Sequence, residues 1–315
     1  MVRILLILLI SSQAFAQSNI DKAKKLWEAK SNAEAKKILT AIDDESKDYA
    51  AAQFYLGRIS VDEKNFDDAA EFFEEAVDAN DKIAEYHLWL GDTYGTIAQS
   101  ANMLKQGMLA PKMKSAWEKA VSIDPTLIDA RQSLIQFYLQ APSFMGGSID
   151  KAKEMAKEII KIKPADGHLQ MGNIYLKENN PQAAEKEYNE AIKADPTYIS
   201  ILGSFYLNQK QYDKAFAFFE DAVKKNSTDY KSIYQIGKTC ALSGQKLDRG
   251  EECLKKYLGY TPKKNEPSHA GANMRLAQVY EKQGKKAEAK KLFESAYKTD
   301  ATLKEAKEGL ERLSK

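Results

Sequence analysis

Met171-Gly172-Asn173-Ile174-Tyr175, followed by Ala184, Tyr188, Ala191 and Pro196, is the stretch on which the fold turns. The same residue types return with the same internal spacing in Leu202-Gly203-Ser204-Phe205-Tyr206, Ala215, Phe219 and Ala222. An earlier copy holds Leu56-Gly57, Ala69, Phe73 and Ala76, and a late one holds Leu276-Ala277, Tyr280, Ala289, Phe293 and Ala296. Self-similarity of this kind marks a stack of one small unit. The glycine or alanine falls where two helices cross, since only a small side chain lets their axes approach closely. Aromatics and leucines then fill the space between neighbouring pairs. A single pair cannot bury its own apolar face, so stability comes from stacking.

The pattern resembles the tetratricopeptide-repeat (TPR) family, whose helix pairs share an L-G-x2-Y signature, then an alanine, an aromatic and often a proline. The resemblance implies an all-α, right-handed superhelical solenoid of antiparallel helix pairs, with the first helix of each pair lining a concave groove. Three copies are irregular. Leu90-Gly91 and Tyr94 reach their second helix at Trp117 and Ala120, ten residues later than the regular spacing. Leu134-Ile135 and Tyr138 reach Ala152 five residues late, through residues 141–148. Ile236-Gly237 and Cys240 run on to Leu254, Tyr257 and Pro262 with about one extra residue. With a weak hairpin at 20–42 and a capping helix at Thr302–Lys315, the reading is seven pairs, a degenerate leading pair and a cap. No glycine-serine linker interrupts the copies, so residues 17–315 are expected to form one domain with insertions near 95–112 and 141–147.

The first sixteen residues differ from the rest. Arg3 precedes the apolar run Ile4–Ile10, and the segment closes on Ala14-Phe15-Ala16. A basic start, a short apolar run and an Ala-x-Ala end are the parts of a secretory signal peptide, expected at 1–16. An uncleaved anchor is the competing reading, although the run falls well short of the roughly 18–20 residues that span a bilayer. The mature chain is expected to be soluble in the periplasm or secreted. Elsewhere 8 prolines and 16 glycines leave long helices undisturbed, and the formal charge of +2 points to no nucleic acid.

Catalytic and metal patterns are weak. His87 and His168 occupy equivalent places early in the first helix of their repeats, where packing is the better reading. No His-x3-His, Cys-x2-Cys or calcium-loop spacing occurs, and no cofactor is implied. Met145-Gly146-Gly147-Ser148 lacks the strand and lysine of a phosphate loop. Its glycines read instead as a turn, with Ser148 or Asp150 capping the next helix. Cys240 and Cys253 lie on the two helices of one repeat, and two buried thiols are favoured over a disulfide because paired helix axes are typically about 8–10 Å apart. An enzyme is not expected.

The first-helix faces supply the candidate ligand contacts. Tyr55 and Trp89 come first, beside Arg58 and Asp92, and Gln132, Ser133, Gln136, Gln140, Gln170 and Asn173 follow. Ser204, Asn208 and Gln235 continue the series. Amides both donate and accept, matching a peptide backbone or sugar hydroxyls without requiring a charged partner. The middle of the groove reads as nearly free of charge. The lysine and asparagine pattern with which some TPR modules grip a terminal carboxylate is not matched, since Leu169, Ile201 and Gln235 stand at its positions. Residues 41–92 hold 15 acidic and 4 basic residues, which reads as the solvated face of a second helix.

Per-repeat insertions collect on one edge of a solenoid. Met103, Leu104, Met108, Leu109 and Met113 in the first insertion, with Phe144 and Met145 in the second, are expected to be neighbours on that edge. Methionine adapts to irregular partners, which suits a recognition surface, although mutual packing of the two hairpins explains the composition equally well. The combined expectation is a non-catalytic interaction or assembly scaffold of the bacterial cell envelope that binds another protein or peptide. A carbohydrate- or peptidoglycan-binding envelope protein is the alternative.

Overall fold

The computed structural model describes residues 18–314. Among them there are seventeen α-helices, two short 3-10 turns and no strand. The chain divides after Glu178 into two compact units.

The first unit contains α1 (Asn19–Glu28), α2 (Asn32–Leu39), α3 (Tyr49–Asp62), α4 (Phe66–Ala79), α5 (Ala84–Ser100), α6 (Met103–Ile123), α7 (Ile128–Gln140), α8 (Ile149–Ile162) and α9 (Pro164–Lys177). Each helix packs on the next in chain order through α9. The core runs continuously between pairs. Ala35, Leu39, Leu56 and Ile59 close the first layer, and Phe54, Phe73, Tyr86 and Leu90 fill the second. Trp117, Leu134, Ile135, Ile159 and Ile174 fill the third. Burying one such aromatic or branched side chain stabilises by about 1.5–3 kcal/mol.

The second unit contains α10 (Pro181–Ala194), α11 (Ile199–Asn208), α12 (Tyr212–Lys225), α13 (Tyr230–Ser243), α14 (Leu247–Leu258), α15 (His269–Lys282), α16 (Lys286–Thr299) and α17 (Lys304–Leu313). At its end Phe293, Ala296 and Ala306 close the core under α17. That helix is tied down by Arg275, whose guanidinium forms a bidentate pair with Glu305 at 2.5 and 3.0 Å.

Small residues stand where the pattern demands. A methyl group at Gly57 would lie 2.6 Å from the Phe73 ring, and one at Gly203 would lie 2.5 Å from Phe219. The signature tyrosines have a second task. Tyr138 donates to Glu118 at 3.1 Å, Tyr206 to Glu185 at 2.8 Å and Tyr280 to Glu251 at 3.2 Å. Tyr94 donates to Glu74 in the same way. In all four, a hydroxyl from a first helix reaches a carboxylate on the second helix of the pair before it.

The turns repeat as faithfully as the helices. After α1, α3 and α11, Lys30, Lys64 and Lys210 take the left-handed conformation at φ 62, 64 and 54°, and Gly284 does so after α15 at φ 80°. The next amide then donates to the carbonyl five residues back, closing a six-residue turn, from Ser31 to Leu26, Asn65 to Ser60, Gln211 to Tyr206 and Lys285 to Tyr280. Turns between pairs use a different device. The side-chain oxygens of Asp124, Asp195, Asn226 and Asp300 each accept from both the amide and the hydroxyl of the threonine two residues on.

The insertions are resolved in two ways. The ten extra residues near 95–112 do not loop out. They extend α5 to 17 and α6 to 21 residues, against 14 in α3 and α4. Residues 141–147 stay a turn, with Gly146 at φ 101° and Gly147 so close to the Ala141 carbonyl that no side chain fits. Ser148 caps α8 by accepting from the Lys151 amide at 3.3 Å.

Candidate functional site

The first helices α5, α7 and α9 project polar side chains into one hollow of about 850 Å³ in the first unit. Gln132, Gln136, Gln140 and Gln170 line it, with Gln99 and Thr96 from the extended end of α5 and Gln106 from α6. Its apolar wall is Ala110, Met113, Trp117, Phe137 and Met145. The amides are partly engaged with one another and with the backbone. Gln140 donates to Gln136 at 3.2 Å, and Gln106 caps α5 by donating to the carbonyls of Ala98 and Ala101, each at 3.0 Å.

The sequence reading of the groove as nearly uncharged needs correction here. Asp92 and Asp129 both line the hollow. Asp92 Oδ1 accepts from the Trp117 indole at 2.8 Å and from the Ser133 hydroxyl at 2.9 Å. Burial raises the Asp92 pKa. The two hydrogen bonds oppose the shift, and the nearby Asp129 charge adds to it. Asp129 opens α7 one turn before Ser133, on the same face as Gln132 and Gln136, so its place was readable from helical spacing. The indole of Trp117 was not: the repeat pattern identifies a core aromatic, not the polar edge it turns to the groove.

Next to this hollow lies a smaller one of about 560 Å³, which shares Asp92 and Asp129 and adds Arg58, Glu85, Trp89, Asp124 and Leu127. Trp89 does not offer an open aromatic face. The Arg58 guanidinium lies 3.8 Å from its ring centre, and Phe73 packs at 6.1 Å. Tyr55 likewise sits between Trp27 and Phe54. Phe54 is a core residue and lines neither hollow, and Leu88, though buried, borders the smaller one.

The two insertions do meet: α6 contacts the turn at Ser143–Met145, and Met145 lies over Gly107. Their side chains divide into two sets. Leu109 is buried on Tyr94 and Ile97, and Met113 is half-buried between two core layers. Met103, Leu104, Met108 and Phe144 are 80, 76, 66 and 82% exposed, the four most exposed large apolar side chains among the described residues. All four belong to the two insertions, whose residues Gln106, Ala110, Met113 and Met145 line the hollow. Lys105 and Lys112, on the same extension, pair with Asp67 and Glu74 of α4, so the acidic face of α4 is partly engaged.

In the second unit Ser204 and Gln235 line a separate hollow of about 610 Å³ with Ile199, Phe218 and Lys231. One wall is the segment Asn265–Pro267. It belongs to a ten-residue connection at 259–268 that sequence reading missed. Tyr260 stacks on Tyr230 at 4.0 Å, the Tyr257 hydroxyl donates to the Pro267 carbonyl at 2.6 Å, and His269 holds the Tyr260 carbonyl at 2.6 Å. Gly259, Pro262 and Pro267 were the available signal for a break. Asn173 and Asn208 are exposed and line neither hollow.

His87 is buried, with Nε2 3.0 Å from the Asp81 carbonyl, a packing role. Cys240 and Cys253 are buried free thiols, and burial pushes their pKa values up to about 11 and about 12. No helix among the described residues is long and apolar enough to cross a membrane. The proposed signal segment lies outside them.

Tetratricopeptide-repeat family profiles match residues 26–89, 169–230 and 241–303, together more than half of the chain. The chain belongs to the tetratricopeptide-repeat family. The longest span between matches, 90–168, is where both insertions fall. Among curated relatives, the type IV pilus assembly protein PilF of Pseudomonas aeruginosa is 26% identical over 151 residues, 45% of this chain and 57% of PilF. Human superkiller complex protein 3 is 23% identical over 274 residues, 74% of this chain but 17% of that protein. The chain thus spans only part of the length of either. A tetratricopeptide repeat protein from Parabacteroides merdae has the same fold, with a TM-score of 0.52, 16% identity and coverage of 84% of this chain and 99% of that one.

Proposed function

We propose that this protein is a non-catalytic interaction or assembly scaffold of the bacterial cell envelope, and that it holds an extended segment of a partner protein in the α5–α7–α9 hollow. One observation carries the reading: side-chain amides from three successive first helices converge on a single concavity with an apolar floor. An extended peptide presents alternating donors and acceptors, which amides can match without a fixed sequence. The exposed Met103, Leu104, Met108 and Phe144 of the two insertions offer further apolar surface to a folded part of the same partner. An envelope location draws support from the N-terminal segment and from the likeness to a pilus assembly protein. The covered faces of Trp89 and Tyr55 weigh against a stacking platform for sugars.

Affinity capture from envelope extracts tests the reading. A discrete protein partner should be retained, and Met108→Ala or Phe144→Ala should abolish its capture with little change in thermal stability, because both side chains are mostly exposed. Capture that survives both substitutions removes these exposed side chains from the binding surface. Retention on peptidoglycan without a protein partner would favour a glycan binder instead.

A further inference from the structure

We infer that the segment held in the first-unit hollow carries a lysine or arginine, whose cationic head pairs with Asp92 and Asp129. This rests on the peptide reading above and specifies the chemistry of the ligand.

Asp92 is a carboxylate fixed in position before any partner arrives. Trp117 from α6 and Ser133 from α7 both donate to Oδ1, which orients the group and leaves Oδ2 with no donor among the described residues. Asp129 stands near it on α7 and has no ion pair among the described residues. The two lie where the hollows meet, since both line the larger and the smaller one.

No lysine or arginine lines the larger hollow. The smaller one has Arg58 against Glu85, Asp92, Asp124 and Asp129. Arg58 is already engaged, 3.5 Å from Glu85 and stacked between Trp89 and Trp27. A half-buried carboxylate without a cation bears a desolvation cost that an incoming cation relieves, and the raised pKa of Asp92 has burial as its largest cause. The surrounding charge acts in the same direction, with 15 acidic and 4 basic residues across 41–92. A glutamate-bearing segment would meet repulsion from both carboxylates at this point.

The test uses the purified protein and fluorescein-labelled hexapeptide pools, acetylated and amidated at their ends, each fixing lysine, arginine, glutamate or leucine at one position. Lysine and arginine pools should bind at least about tenfold tighter than glutamate pools at low salt, and the ratio should shrink as sodium chloride is raised. Asp92→Asn keeps an acceptor for Trp117 and Ser133 and should reduce the ratio to within about twofold. Asp129→Asn, at an exposed site, should reduce it in part and serves if the first variant melts early. Pools bound with no cationic preference, or a preference unchanged in both variants, would overturn this inference and leave the peptide reading standing. If no pool binds the unaltered protein, both fail together.

Discussion

Gly203 and Phe219 show how much of this molecule depends on single side chains. A methyl group on Gly203 would meet a ring that is itself 5% exposed and enclosed in the second unit, so the ring has little room to yield. Gly203→Leu should therefore destabilise by about 2–3 kcal/mol through overpacking, and Gly57→Leu against Phe73 should do the same in the first unit. Thermal melts measure both, and unchanged stability would mean that the close helix crossings are not where the repeat places them. These contacts were legible in the sequence because close crossing excludes a β-carbon. The four tyrosine–glutamate links were half legible: the tyrosine is part of the signature, but its glutamate lies on a different pair at variable separation. Asp92 was read as a groove residue. Its tie to Trp117 was hidden, because a repeat pattern encodes which side chain is buried and not where its polar edge emerges.

At the scale of elements, the within-pair turn carries a small, identifiable cost. Lys30, Lys64 and Lys210 occupy a left-handed position that disfavours any residue with a β-carbon, and Gly284 fills the equivalent place without that penalty. Lys210→Gly should raise stability by about 0.5–1 kcal/mol, since the lysine is exposed and lines none of the three hollows described above. A melt showing loss of stability would mean that the six-residue hydrogen-bonded turn is not limited by that strain. The same scale explains what the insertions concealed. Their lengths could be counted from the delayed second helices, but a count does not distinguish a loop from two longer helices. In residues 95–112 Gly95, Gly107 and Pro111 are spread over eighteen positions, and Leu109 and Met113 supply buried contacts, so α5 and α6 both lengthen and the break narrows to Ala101-Asn102. Residues 141–147 carry a proline and two glycines, and they turn.

At the scale of the whole molecule, stacked pairs lean only on their neighbours, so opening is a local event with a local free energy. The pair α13–α14 reports on it through Cys240 and Cys253. Both sulfurs are enclosed, and a thiol reacts as its thiolate, which burial holds back. A maleimide added to the native protein has nothing to attack until that pair parts. Labelling at neutral pH should then be at least about 100-fold slower than in the urea-unfolded chain, and where reclosing outpaces reaction its rate gives the opening equilibrium directly. Prompt labelling in native buffer would mean that the sulfurs are not enclosed. Two unreactive side chains with no part in ligand binding therefore give the molecule an internal clock, which counts the moments when one layer of the stack comes apart.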